Sequence, residues 1–169
     1  EEEAMAETIA KILYPEDNHL EGKSLRLKQQ YFFVSATVQS IVKKHLETYG
    51  TLRNFHEKNV LQINDTHPAL VIPELMRIFV DEAGMSWDEA WGITTQSVAY
   101  TNHTVLAEAL ERWPQNLFEH FLPRIWQITQ EISSRWQRKV EDFYHDEAKT
   151  QRMAIIWDGE VRMGNLCIA

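Results

Sequence analysis

Two stretches of this sequence place hydrogen-bonding residues where an apolar run stops. In QINDTHPAL, residues 62–70, Asp65 and His67 stand two apart between Ile63 and Pro68. In AYTNHT, residues 99–104, Asn102 and His103 follow a short run beginning at Val98. An ionised carboxylate only accepts hydrogen bonds, whereas a neutral imidazole both donates and accepts. Together they can orient a hydroxylated ligand, move a proton, or supply part of a metal site. Asp65 and His67 offer two metal ligands close together, but no cysteine cluster or paired-histidine helix accompanies them, which disfavours that reading. The plain alternative is that each histidine caps a helix or satisfies a buried backbone group.

The elements around these residues decide which chemistry is open to them. Leu27, Tyr31, Val34, Val38 and Ile41 recur at spacings of three and four, which predicts a helix over about 23–49 with Gly50 ending it. Lys28, Ser35, Gln39 and Lys43 fall largely off that apolar face. Residues 59–63 and 98–101 read as short strands. A helix is expected over Val71–Val80, with Pro73 in its first turn and Gly84 beyond its end. Ser86 and Glu89 form a capping box, so another helix begins at Trp87. A helical pattern is also expected near Glu108, with further helices opening at Pro114 and Pro123 and a last strand around Leu166–Ile168. Short strands separated by helices favour parallel pairing through crossovers, so the fold class is α/β, helix-rich. In open parallel sheets ligands gather beyond the carboxyl ends of strands, where Asp65, His67 and His103 would lie.

The loop ILYPEDNHLEG, residues 12–22, is a third candidate. Tyr14-Pro15 fixes an extended entry, and Asp17, Asn18 and Gly22 are turn formers. It reads as a plain connection on local grounds. A tyrosine face beside amide and carboxylate groups would also suit a sugar. Trp87, Trp91, Trp113, Trp126 and Trp136 fall within helical patterns, so core packing is their expected use. Cys167 lies in an apolar stretch with nothing to activate a thiol.

A net charge of -8 disfavours nucleic acid, because an acidic surface displaces few counterions from phosphates. No apolar run approaches a membrane span, and the acidic start EEEAMAE does not make a signal peptide. The expectation is a soluble, cytoplasmic protein with no membrane or nucleic-acid partner. The absence of an initiator methionine and the apolar end NLCIA suggest a piece of a longer chain.

Three long stretches carry a family resemblance: ILYPEDNHLEGKSLRLKQQYFFVSATVQ, QINDTHPALVIPELMRIFVD and AYTNHTVLAEALERWP. They lie in order between Ile12 and Pro114 and closely resemble the α-glucan phosphorylases that act on glycogen, starch and maltodextrin. The resemblance implies that residues 1–169 form the later part of an N-terminal domain, one of two large α/β domains flanking an active-site cleft. It implies a pyridoxal phosphate-dependent glycosyltransferase, usually a homodimer, that cleaves α-1,4-glucan with phosphate to give glucose 1-phosphate. His103 matches a histidine that contacts the transferred glucosyl unit. Asp65 and His67 match residues lining the acceptor side, and Tyr14 an aromatic that stacks on a sugar. Asp17 and Asn18 match a loop that gates the site, and Arg26 a basic residue nearby.

The resemblance also has gaps. No match to the cofactor-holding lysine or to the phosphate-binding residues occurs, so no cofactor is expected on this segment alone, which should be inactive without the remainder of the chain. Glu16, His19 and Leu20 depart from the asparagine and aromatic pair of animal gate loops. Lys43-Lys44 replaces an arginine pair, and Ala107 a proline. Gly164-Asn165 departs from an alanine-histidine pair. A non-catalytic helical module that binds glucan or acts as a scaffold is the alternative reading.

Overall fold

A computed structural model of the chain describes residues 2–11 and 19–169. Helix α1 spans Glu2–Lys11, and the long helix α2 spans Leu20–Tyr49. His19 caps α2: its Nδ1 accepts from the Gly22 N–H at 3.0 Å. Gly50 ends it in the left-handed conformation, φ 70°, and donates its N–H to Leu46 O at 2.8 Å. The predicted apolar face is buried at Leu27, Val34 and Val38. Ser35, expected off that face, is buried too, and the reason lies in its partner, described below.

After the short helix α3 (Phe55–Lys58), strand β1 runs from Leu61 to Asn64. Helix α4 (Val71–Arg77) follows and passes into a π-helical turn over Ile78–Glu82. Gly84 then turns the chain with φ 68°, and Ser86 Oγ accepts from the Glu89 N–H to start α5 (Trp87–Ser97) at Trp87, as the capping box predicts. Helix α5 leads directly into strand β2 (Val98–Thr101). The two strands pair in parallel, with Leu61 opposite Val98 and Asn64 opposite Thr101. The intervening helices make the crossover that parallel strands require.

The C-terminal third has the expected helices after Pro114 and from Pro123 but adds strands that the sequence reading lacks. Strand β3 (Arg112–Pro114) precedes α6 (Gln115–Phe121), α7 (Pro123–Tyr144) and α8 (Glu147–Met153). Strands β4 (Ile156–Trp157) and β5 (Glu160–Arg162) then form a hairpin, and β3 joins it in an antiparallel sheet of order β3-β5-β4. Asp158 and Gly159 both have positive φ, 52° and 73°, which a two-residue primed hairpin turn demands. The expected strand at Leu166–Ile168 is instead helical, within α9 (Met163–Ile168). A three-residue apolar run has no period of its own, so it fits either state. Near Glu108 only a 3₁₀ turn, Ala107–Ala109, forms.

The core gathers Leu27 and Val38 of α2, Leu75 and Met76 of α4, and Ile125 and Ile128 of α7. Trp113 and Trp126 are buried within it, and Trp136 Nε1 donates to Met153 O at 2.9 Å. Among the buried residues is a fully buried carboxylate, Glu74. Its Oε1 accepts from Ser35 Oγ at 2.9 Å and Arg77 Nη2 at 2.8 Å. Its Oε2 accepts from Tyr31 Oη at 2.8 Å and Arg77 Nε at 3.0 Å. Both oxygens are thus fully occupied, and the forked guanidinium neutralises the charge.

Removing this carboxylate strands Arg77, Tyr31 and Ser35, so Glu74→Ala should cost about 3 kcal/mol or more in denaturant unfolding. Burial, then the Glu74 hydrogen bond and charge, push the Tyr31 phenol up from 10.0 to about 12. The folded state therefore holds this proton more tightly than the unfolded state. Its stabilising contribution is complete below pH 10.0 and is lost as pH rises to about 12. Unfolding of wild type and Tyr31→Phe across that window should show the steeper decline in wild type only.

Candidate functional site

Because Asn64 pairs with Thr101, β1 and β2 end at the same level, and the residues after them leave the sheet side by side. Asp65 takes a left-handed backbone, φ 62°, which a short polar side chain tolerates better than a branched one. Its N–H donates to Thr101 O at 2.8 Å, extending the ladder by one bond. Its Oδ1 accepts from the His103 backbone N–H, also at 2.8 Å. The His103 ring is exposed, with Nε2 at 3.5 Å from Asn64 Oδ1, the limit of a hydrogen bond. Asp65 and His103, identified separately in sequence, are therefore joined across the sheet edge.

Beyond His103 the chain is held by its own polar groups. Asn102 Nδ2 donates to Thr104 O at 2.7 Å, and Thr104 Oγ1 accepts from the Leu106 N–H at 3.1 Å. Val105 and Leu106 project into solvent. His67 is exposed on the turn between β1 and α4, and no hydrogen bond ties it to Asp65 or His103. Tyr14, Asp17 and Asn18 lie outside the described residues.

Sequence reasoning missed Thr66 and Glu111. Thr66 is buried, and its Oγ1 accepts from the Glu111 N–H at 2.9 Å. The Glu111 carboxylate takes Arg26 Nε at 2.9 Å and Nη2 at 3.1 Å, a forked pair that ties α2 to the chain entering β3. A cleft of about 570 Å³ opens here, lined by Lys23, Arg26, Glu108, Glu111, Arg112 and Glu160. On β2, burial and smaller effects of Cys167 and Asp65 raise the Tyr100 phenol above its ordinary value. Burial likewise pushes the Cys167 thiol up to about 12, which leaves it a poor nucleophile.

This edge can do one kind of chemistry well. It presents an exposed imidazole, an amide oxygen and backbone groups in a fixed order, a set suited to hydroxyl groups. It does not fit a Schiff-base cofactor, which needs a desolvated lysine. Every lysine among the described residues is at least partly exposed. Lys28 and Lys149 lie over the rings of Phe121 and Tyr144. No helix among the described residues is long and apolar enough to cross a membrane.

Comparison with known proteins agrees with the resemblance. The chain is 51% identical over 163 residues to a glycogen phosphorylase of Bacillus subtilis, covering 96% of this chain and 20% of that protein. It is 47% identical over 172 residues to a glycogen phosphorylase of Chlamydia pneumoniae, covering 99% of this chain and 21% of that protein. With the muscle form of human glycogen phosphorylase it shares 48% identity over 177 residues, 98% of this chain and 21% of that protein. The chain thus spans about a fifth of the length of these curated relatives. The sequence model described as carbohydrate phosphorylase matches residues 1–169, so the chain belongs to the carbohydrate phosphorylase family.

Proposed function

We propose that this chain is the sugar-facing segment of an α-1,4-glucan phosphorylase, which cleaves terminal glucose with inorganic phosphate to give glucose 1-phosphate. The observation that carries the reading is the Asp65–His103 bond at the shared end of β1 and β2, within a chain that matches the family throughout. His103 contacts the glucosyl unit being transferred, through its exposed ring and its backbone carbonyl. Asp65 and His67 line the acceptor side, where the remaining glucan sits. Tyr14 stacks on a sugar, and Asp17 and Asn18 belong to the loop that gates access.

An imidazole suits this task because a sugar hydroxyl needs both a donor and an acceptor. Its contribution is orientation: a glucosyl unit held in one pose meets its phosphate partner without a search. Pyridoxal phosphate would be bound elsewhere in the parent enzyme, where its phosphate would serve proton transfer. The lysine that would hold it belongs to the remainder of the chain on this reading, since every lysine described here is at least partly exposed. The parent enzyme is cytoplasmic and works as a homodimer.

Two measurements test this reading. The 169-residue chain alone, given pyridoxal phosphate, maltoheptaose and phosphate, should form no glucose 1-phosphate. Appreciable turnover would show that it holds a complete site. In the full-length protein, His103→Ala should lower kcat/KM for phosphorolysis about tenfold to a hundredfold, as expected for a lost hydrogen bond to a transferring group. Unchanged kinetics would remove His103 from the site.

A further inference from the structure

The segment from His103 to Glu111 is fastened at both ends by the side chains of two consecutive residues. Asp65 Oδ1 holds the His103 N–H at 2.8 Å, and Thr66 Oγ1 holds the Glu111 N–H at 2.9 Å. Between those points the backbone bonds are local: Ala109 N–H to Leu106 O at 3.1 Å and Leu110 N–H to Ala107 O at 3.2 Å. Residues 105–109 are exposed. Past Glu111 the chain is anchored again, its carbonyl accepting from the Met163 N–H at 3.0 Å.

We propose that Asp65 and Thr66 are positioning residues that clasp this segment and set where His103 presents its ring and carbonyl. The inference rests on the reading of His103 as a sugar contact, and it deepens the role of Asp65. The left-handed turn at Asp65 aims its carboxylate across the sheet edge at the His103 backbone. Thr66 is buried, with 3% of its surface exposed, so it acts on a sugar only through what it holds. Its methyl group would meet a Cβ placed at Gly164 at 3.9 Å, so α9 packs close beside the clasp.

The test uses the full-length protein and three variants. Asp65→Asn keeps an oxygen acceptor and tolerates the left-handed turn. Asp65→Gly keeps the turn and removes the acceptor, and Thr66→Val keeps the shape and removes the acceptor. Each is assayed for kcat and for KM toward maltoheptaose. Hydrogen exchange is followed on a peptide covering residues 101–111. Asp65→Gly and Thr66→Val should speed exchange there and lower kcat about tenfold, while Asp65→Asn recovers most of both losses.

Equal losses in Asp65→Asn and Asp65→Gly would mean that the charge itself acts on substrate, overturning the clasp. So would fast exchange with full activity. A wild-type protein without phosphorolysis would instead sink the functional reading, and the exchange measurement would still report whether the two side chains hold the segment.

Discussion

Everything near the sheet edge depends on how one buried carboxylate is neutralised. Glu74 is fully buried on α4, the helix that follows the Asp65–His67 turn. An unpaired charge there would cost several kcal/mol, on the order of the whole stability of a small domain. Arg77 answers it from the same helix, and Tyr31 and Ser35 answer it from α2. The bonds are geometric as well as energetic, because four donors on two helices must converge on one group. They fix α4 against α2 in register, and the end of β1 is thereby fixed too. Arg77 also reaches Glu82 in the π-helical turn, at 2.8 Å, which carries the constraint toward α5 and β2.

The sheet edge then follows from short-range rules. Parallel register brings the two strand ends level, and the left-handed Asp65 converts that proximity into a hydrogen bond to His103. Thr66 and the Arg26–Glu111 fork extend the same logic to the start of β3. His103 is held through its backbone N–H on this frame, and a group so ordered in advance loses little freedom on binding, which is the general advantage of preorganisation. On the proposed reading the segment contributes sugar contacts, while every lysine among the described residues is at least partly exposed.

Much of this was legible in the sequence, for identifiable reasons. The long period of α2, the Ser86–Glu89 box and the glycines at 50 and 84 each state a local rule that tertiary structure obeyed. Asp65 and His103 stood out because polar residues closed apolar strands. The antiparallel sheet was harder, since its strands are two or three residues long and give no alternation to read. Its one clear signal, Asp158-Gly159, was there to find. Ser35 was misplaced because its burial answers a partner 39 residues away, a relation that helical spacing cannot reveal. Thr66 and Glu111 were missed for the same reason, their bond spanning 45 residues.

The central claim is that the paired ends of β1 and β2 face a glucan. A crystal structure of the full-length protein with a bound maltooligosaccharide tests it most directly. The account predicts a glucosyl hydroxyl within hydrogen-bonding distance of His103, with Asp65 still accepting from the His103 backbone. A sugar seated away from this edge, with both side chains facing only solvent or protein, would contradict it.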